Sequence, residues 1–159
     1  MDIVKSYRKV KKNGVQSVII NKNRILIVKR MNIPFFLIHP GEWAFISGAK
    51  EKDEDYIDAA YRETSEEIGL NAKELKLLSK GSKVVLFDNS RKIRWENMLF
   101  IFKTDKSKIK LNFENTAYKW VSYGELVESP EMPLRNFCDG KRVSKLIALA
   151  IDRKQPQGS

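Results

Sequence analysis

The most constraining feature of this chain is a run of glutamates at helical spacing in residues 54–68. With about 100° of rotation per residue, Glu63 and Glu67 lie on one face of a helix, with Glu66 beside them. Arg62 stands one turn before Glu66 and is placed to pair with it. Like charges at this spacing repel one another unless cations lie between them. The pattern therefore indicates either a site for a divalent cation, which prefers oxygen ligands, or a solvated acidic face with an Arg62–Glu66 surface ion pair.

The same helix has an apolar side, which is predicted to pack on a sheet. The residues on that side are Ile57, Ala60, Tyr61, Thr64 and Ile68. Gly69 follows directly and is predicted to end the helix, because glycine readily takes the positive φ that a helix end needs. The sequence thus predicts one amphipathic helix over residues 55–68.

β-branched and apolar runs elsewhere in the chain predict strands that alternate with helices. The predicted strands are residues 15–20, 24–30, 43–46, 75–78, 82–87, 93–103 and 118–122, with 75–87 forming two strands or one bent strand. A turn at 21–23 joins the first two as a hairpin. Residues 123–127 predict a short helix. A final amphipathic helix is predicted from the spacing of Val143, Leu146, Ile147 and Ile151. We expect one mixed α/β domain over residues 1–154, with a disordered tail at 155–159.

The spacing of the fixed residues in 48–70 resembles the Nudix box, which reads G, five residues, E, seven residues, REUxEExGU with U usually aliphatic. The matching residues are Gly48, Glu54, Arg62, Glu63, Glu66, Glu67 and Gly69. At background usages of about 7% per residue type, chance agreement at all of these positions is on the order of one in a million. Two departures are Ile46-Ser47 where Pro-Gly is common, and Thr64 at an aliphatic position. The solvated acidic face is therefore the weaker interpretation.

The resemblance extends more loosely over residues 15–125. It includes an aliphatic strand ending at Arg30, a Trp43 segment before the box, and Glu114 ahead of Trp120-Val121. It implies an α/β fold, an α/β/α sandwich with a mixed sheet in which the box forms a loop–helix–loop. The run from His39 to Phe45 is also loosely similar to coenzyme A pyrophosphatases, although Leu37 stands where those enzymes carry an arginine.

The resemblance also implies a metal-dependent pyrophosphohydrolase that uses Mg²⁺, with Mn²⁺ as a substitute. Glu63 and Glu67 would be the leading metal ligands, and Glu66, Glu54 and the Gly48 carbonyl would be further ones. Glu54 has the alternative role of a carboxylate at the start of the helix.

The predicted catalytic residues are Glu66, Glu67, Arg62 and Glu114. Arg62 would hold a box glutamate, Glu66 in the first place. Glu67 is the first candidate for the base that accepts a proton from the attacking water, with Glu114 and Glu96 as alternatives outside the box.

The substrate predicted from the resemblance is a small nucleoside diphosphate linked to another moiety. Arg30 and Lys50 are candidates to bind the diphosphate, with ordinary surface charge as the alternative for both. Trp43 is a candidate to stack on the base, and alternation predicts that Trp43 or Phe45 is a core residue. Two other functions stay open, namely a nucleotide-sensing binding module and an RNA 5′-end pyrophosphohydrolase.

The net charge of +10 over 159 residues favours polyanionic partners or reflects lysines that are simply solvated. RNA is the less favoured partner, because the lysines are scattered and no basic cluster with interleaved aromatics is present. No apolar run approaches the roughly 20 residues that span a bilayer, so no membrane partner is predicted. A lone cysteine, Cys138, and the lack of a secretory signal favour the cytoplasm. The resemblance leaves a homodimer open.

Overall fold

The fold is described from a computed structural model that covers residues 9–32, 40–88 and 92–153. It contains a seven-stranded sheet and three α-helices. The strands are β1 (Lys9–Asn21), β2 (Arg24–Arg30), β3 (Trp43–Ala44), β4 (Ile46–Ala49), β5 (Lys76–Asp88), β6 (Ile93–Lys103) and β7 (Asn115–Ser122). The helices are α1 (Tyr56–Ile68), α2 (Tyr123–Glu128) and α3 (Gly140–Arg153), and short 3₁₀ turns span Ala72–Glu74 and Pro133–Asn136. The predicted tail, His39 and Leu37 lie outside the described residues.

Strand β1 organises the sheet. It pairs in parallel with β6 and antiparallel with both β2 and β4. The main path runs β3-β2-β1-β6-β5, and β7 adds to β2. A sheet with both kinds of pairing confirms the predicted mixed α/β fold.

Apolar residues cover both faces of this sheet. On one face, α1 contributes Ala59, Ala60 and Ile68 to a buried cluster. On the other, α3 contributes Val143, Ile147 and Ala150 to a second cluster. This two-sided burial explains the continuous apolar run of β2, which supplies core residues to both faces. Within the described residues, no helix has the length and apolar composition needed to cross a bilayer.

Helix α1 ends as predicted. Gly69 has φ of 73°, and its N–H donates to the Ser65 carbonyl. The predicted core side is partly wrong, however. Ile57 and Tyr61 are only half-buried, whereas Glu67, which was placed on a neighbouring face, has no exposed surface. Its carboxylate is buried among donors from other strands, which the helical period alone does not reveal.

Two strand predictions also differ from the structure. The predicted strand 43–46 is two strands, because Trp43–Ala44 pairs with β2 and the chain then changes partner so that Ile46–Ala49 pairs with β1. Strand β5 is continuous, with register shifts between Leu77 and Ser82, so the bent-strand alternative is confirmed. β2 and β6 have the predicted bounds.

Candidate metal and catalytic site

Arg62 is the organising cation of the box. Its guanidinium donates to both carboxylate oxygens of Glu54, at 2.6 and 3.1 Å, and to the Ala49 carbonyl at 2.8 Å. It also donates to Glu63 at 2.9 Å and to Glu66 at 3.3 Å. The predicted pairing with Glu66 is therefore present but is the longest of the three carboxylate contacts. Arg62 joins the helix to the loop that precedes it.

Glu54 serves this ion pair at the start of the helix. Its Oε1 also accepts the Glu51 N–H at 2.7 Å. The hydrogen bond from Arg62, followed by that backbone N–H, lowers the pKa of Glu54 to about 2. The structure thus gives Glu54 the helix-start role that the sequence left as an alternative to metal binding.

Glu67 lies at the centre of a buried polar cluster. Its Oε2 accepts the Ser47 backbone N–H and its Oε1 accepts the Asn115 side-chain amide, each at 3.0 Å. Arg30 Nη1 lies 3.7 Å from Oε1 and donates to the Ser47 hydroxyl at 3.3 Å. Burial is the largest influence on Glu67 and raises its pKa to about 8, against the lowering effects of Arg30 and Asn115.

The pairing of β2 with β7 brings Arg30 and Asn115 to the same carboxylate. Lys29 pairs with Ala117, but Arg30 pairs with Asn115, so the register shifts at Thr116. Such a bulge re-aims the neighbouring side chains. Asn115 and Ser47 were not predicted as site residues. Ser47 adjoins the box and was open to detection there, whereas only long-range strand pairing identifies Asn115.

Glu63 lies directly against the backbone of β4. A Cβ at Gly48 would overlap the Glu63 carboxylate carbon, so only glycine leaves room for this approach. Burial raises the pKa of Glu63 to about 7, with Arg62 opposing and the charges of Glu66 and Glu114 adding to the rise. The side chain stays 12% exposed, unlike that of Glu67. The fixed glycine of the box is thus explained by the glutamate beside it.

Glu114 belongs to the same acidic group, since its charge also raises the pKa of Glu67. It enters the site at the start of β7, where its carbonyl accepts the Met31 N–H at 2.7 Å. The fold therefore brings together the predicted residues Glu54, Arg62, Glu63, Glu66, Glu67 and Glu114.

The other predicted substrate residues have different surroundings. Lys50 donates to the Glu51 and Glu54 carbonyls, both at 3.1 Å, and so braces the box loop. Trp43 packs on the sheet face opposite α1, with Lys119 Nζ 4.6 Å from its ring centroid. Phe45 is 1% exposed, which confirms that one of this pair is core. Glu96 lies on β6 and pairs with Lys83 at 3.2 Å.

The donor chemistry of this acidic group fits a divalent cation. In the described parts of the chain, no three His, Cys, Asp or Glu side chains already form a closed ligand set. Glu63, Glu66, Glu67 and Glu114 nevertheless supply hard oxygen donors, and their mutual repulsion raises the pKa of two of them. A bound cation relieves that repulsion. The residues therefore match what Mg²⁺ or Mn²⁺ requires in ligand type.

A cavity of about 270 Å³ adjoins the cluster on the side away from α1. Arg30 and Ser47 line it on the site side, and Phe45, Asn136 and Phe137 line the remainder. Arg30 Nε is buried and has no hydrogen-bond partner among the described residues. Arg30 thus stands between the carboxylates and the cavity with a donor to spare.

Comparison with known proteins gives a consistent result. The family model of the NUDIX domain matches residues 10–138. An RNA pyrophosphohydrolase from Pelagibacter ubique (strain HTCC1062) is 24% identical over 133 residues, covering 74% of this chain and 80% of that protein. A C. elegans Ap4A hydrolase in a binary complex is 18% identical, with a TM-score of 0.64 and coverage of 86% of this chain and 92% of that one. A bifunctional NMN adenylyltransferase/ADP ribose pyrophosphatase from Francisella tularensis, complexed with AMP and a Mn ion, is 22% identical. Its TM-score is 0.66, with coverage of 89% of this chain and 41% of that one.

Proposed function

This chain belongs to the Nudix hydrolase family, and from that membership we propose that it hydrolyses the phosphoanhydride bond of a nucleoside diphosphate derivative, using divalent cations. One observation carries the proposal. Arg62 gathers Glu54, Glu63 and Glu66 beside the buried Glu67, so the box residues share one site. Glu66, Glu67, Glu114 and the Gly48 carbonyl would hold the cation. When bound, it neutralises the diphosphate oxygens and acidifies the attacking water.

Glu63 is the proton acceptor in this proposal, in place of Glu67. A general base works best when its pKa lies near the working pH and when it reaches the water. Glu63 meets both conditions, with a pKa raised to about 7 and a partly exposed carboxylate. Glu67 has no exposed surface, and each of its oxygens already accepts a hydrogen bond. Its place is that of a ligand held rigidly by Ser47 and Asn115.

Arg30 and the cavity beside it provide for the substrate. The guanidinium is positioned to bind a phosphate with Nε, while Nη1 stays on Ser47. The nucleoside would enter the cavity between Phe45, Phe137 and Asn136, where an aromatic wall and an amide are available to a base. Lys50 and Trp43 are left out of this role because their contacts lie elsewhere.

The attached group is narrowed by the relatives only to a class. Their names refer to RNA, Ap4A and ADP ribose, each of which offers a phosphoanhydride bond, in RNA at the 5′ end. The retained carboxylates favour hydrolysis over nucleotide sensing, since a sensor has no use for a base with a pKa near 7. Hydrolysis of a nucleoside diphosphate derivative is thus the proposal, and a 5′ RNA end is the variant that the Pelagibacter relative favours.

A substrate panel tests this proposal. The purified protein is incubated with Mg²⁺ or Mn²⁺ and with nucleoside triphosphates, ADP-ribose, coenzyme A, NADH, dinucleoside polyphosphates or triphosphorylated RNA, and products are separated by chromatography. We expect one class to be cleaved to a nucleoside monophosphate or a 5′-monophosphate end, with activity lost in chelator. Binding of a nucleotide without cleavage of any compound would favour the sensing module instead.

Gly48→Ala tests the close approach of Glu63 to the box backbone. The new Cβ forces the Glu63 carboxylate to move, and misplacement by about 1 Å lowers rates by about 10²-fold. Because the end of a flexible side chain is able to move, we expect the free energy of unfolding to change by no more than about 1 kcal/mol. The measurements are kcat and denaturant unfolding.

Gly124→Ala is the matched control, since its new Cβ would meet only the Ser122 hydroxyl at 3.9 Å. It should keep wild-type kcat. Full activity in Gly48→Ala would show that the position of Glu63 is unimportant.

A further inference from the structure

Six lysines that are dispersed in the sequence gather near the C-terminal end of α1, and together they are named the lysine strip. Its members are Lys73, Lys76, Lys103, Lys106, Lys108 and Lys110. Lys76 and Lys103 are directly paired across β5 and β6. Lys73 joins them around a shallow cleft that Glu74, Thr104 and Asp105 complete. The fold thus assembles a basic cluster that the linear sequence does not display.

The remaining three lysines lie on a connecting segment, residues 104–114, that is held at several points. Thr104 N donates to the Ile20 carbonyl at 2.9 Å, and the Trp120 indole donates to the Ser107 carbonyl at 2.9 Å. Farther along, Lys110 N donates to the Ile68 carbonyl and Asn112 N to the Glu67 carbonyl, each at 3.2 Å. The segment therefore crosses the end of α1 on a fixed course.

Burial alternates along this segment, so the lysines face outward. Ile109 and Leu111 pack against the core cluster of the α1 face. Lys108 and Lys110 between and beside them are exposed, as is Lys106. Because the apolar neighbours anchor the backbone, these ammonium groups are presented to solvent in a row.

The strip leads directly to the carboxylate site. Lys110 Cβ would lie 3.3 Å from a Cβ placed on Gly69, two positions after Glu67. Four residues beyond Lys110, the chain reaches Glu114 and then Asn115, which binds Glu67. Phe113, 62% exposed, stands between the strip and Glu114. A basic surface and an aromatic side chain thus adjoin the proposed site of hydrolysis.

The lysine strip exceeds what local stability requires. A cation near the end of α1 is favourable for the helix dipole, and Lys110 supplies one. The other five lysines have no such need, and within residues 72–76 and 103–111 only Glu74 and Asp105 oppose them. Neighbouring like charges are unfavourable by themselves and become favourable with a polyanion.

We propose that the lysine strip binds the phosphates of a single-stranded RNA chain whose 5′-triphosphate end lies at the box carboxylates. The inference rests on the proposed function, because the strip gains this meaning only if the site cuts phosphoanhydride bonds. An RNA chain carries such a bond at its 5′ end and a regular row of phosphates behind it. Basic grooves with adjoining aromatic side chains bind single strands in this way, the bases stacking on the rings.

The test is the salt dependence of RNA binding and turnover. A 5′-triphosphorylated RNA of about 12 nucleotides is titrated by fluorescence anisotropy between about 50 and 200 mM salt. Each lost phosphate contact on a single strand lowers the slope of log K against log salt by about 0.7. We therefore expect Lys106→Glu/Lys108→Glu to lower the slope by about 1.4 and to weaken binding at least about tenfold at low salt.

The matched control is Lys141→Glu/Lys145→Glu, which reverses two exposed lysines on α3, against the opposite face of the sheet. It should bind RNA with nearly the wild-type slope, and both doubles should unfold at the wild-type temperature. In turnover, the strip double should lose kcat/KM on the 12-nucleotide RNA but keep it on a triphosphorylated dinucleotide, which is too short to reach the strip.

The outcomes separate the two proposals. Equal RNA affinity in the strip double and the α3 double overturns the lysine strip, while cleavage of any panel compound leaves the proposed function standing. Strip-dependent RNA binding by a protein that cleaves no panel compound supports the strip as an RNA surface and overturns the proposed hydrolysis.

Discussion

Replacing Glu63 with glutamine is expected to lower kcat by about 10²–10⁴-fold, the usual contribution of a general base. Glutamine keeps the volume of the side chain and still accepts the Arg62 hydrogen bond through its carbonyl, so the fold should be retained. What it cannot do is take a proton. Because the account assigns cation binding to other carboxylates, affinity for Mn²⁺, measured by titration calorimetry, should change by less than about tenfold.

The combination of the two readouts makes this prediction sharp. A loss of turnover with metal affinity retained supports Glu63 as the base. A matching loss of metal affinity would return Glu63 to the ligand role that the sequence assigned to it. Wild-type kcat would remove Glu63 from the chemistry altogether, and Glu114 would be the next carboxylate to test.

Glu67→Gln is expected to damage metal binding, turnover and stability together. The neutral amide is a weaker ligand, and its NH₂ group must face either the Ser47 N–H or the Asn115 amide, both of which are donors. A buried donor without an acceptor costs about 1–3 kcal/mol, and Arg30 loses its nearest carboxylate as well. We expect kcat to fall by more than about 10²-fold and Mn²⁺ affinity by more than about tenfold.

Glu128→Gln, an exposed change on α2, controls for the loss of one carboxylate and should be neutral in all three measurements. The decisive comparison is between Glu63→Gln and Glu67→Gln. If Glu67→Gln bound Mn²⁺ as tightly as the wild type, the ligand role of Glu67 would be wrong, and its cluster with Ser47 and Asn115 would be purely structural.

Local elements of the fold were predictable because the signals for them are local. The spacing of the box glutamates and Gly69 defined α1 to within a residue, and the turn at 21–23 separated β1 from β2. The division of 43–49 into β3 and β4 was not predictable, since it depends on a change of pairing partner between β2 and β1. Helical period alone likewise placed Glu67 beside the core and not within it.

The same distinction applies to the site. The box residues were readable from their spacing, but their partners were not. Asn115 reaches Glu67 through the register shift at Thr116, and Arg62 binds Glu54 because the loop folds back over the start of α1. The lysine strip is the clearest example, since Lys76 and Lys103 become neighbours only when β5 pairs with β6. Long-range pairing therefore decides which charges meet.

The most direct test of the central claim is the fate of water oxygen during turnover. The wild-type protein is incubated with Mn²⁺ and its best substrate from the panel in ¹⁸O-labelled water, and the products are analysed by mass spectrometry, with Glu63→Gln run in parallel. The account predicts one labelled oxygen on a phosphate product, complete dependence on the divalent cation, and a greatly reduced rate in Glu63→Gln. Label in a non-phosphate product, or equal rates in the two proteins, would contradict it.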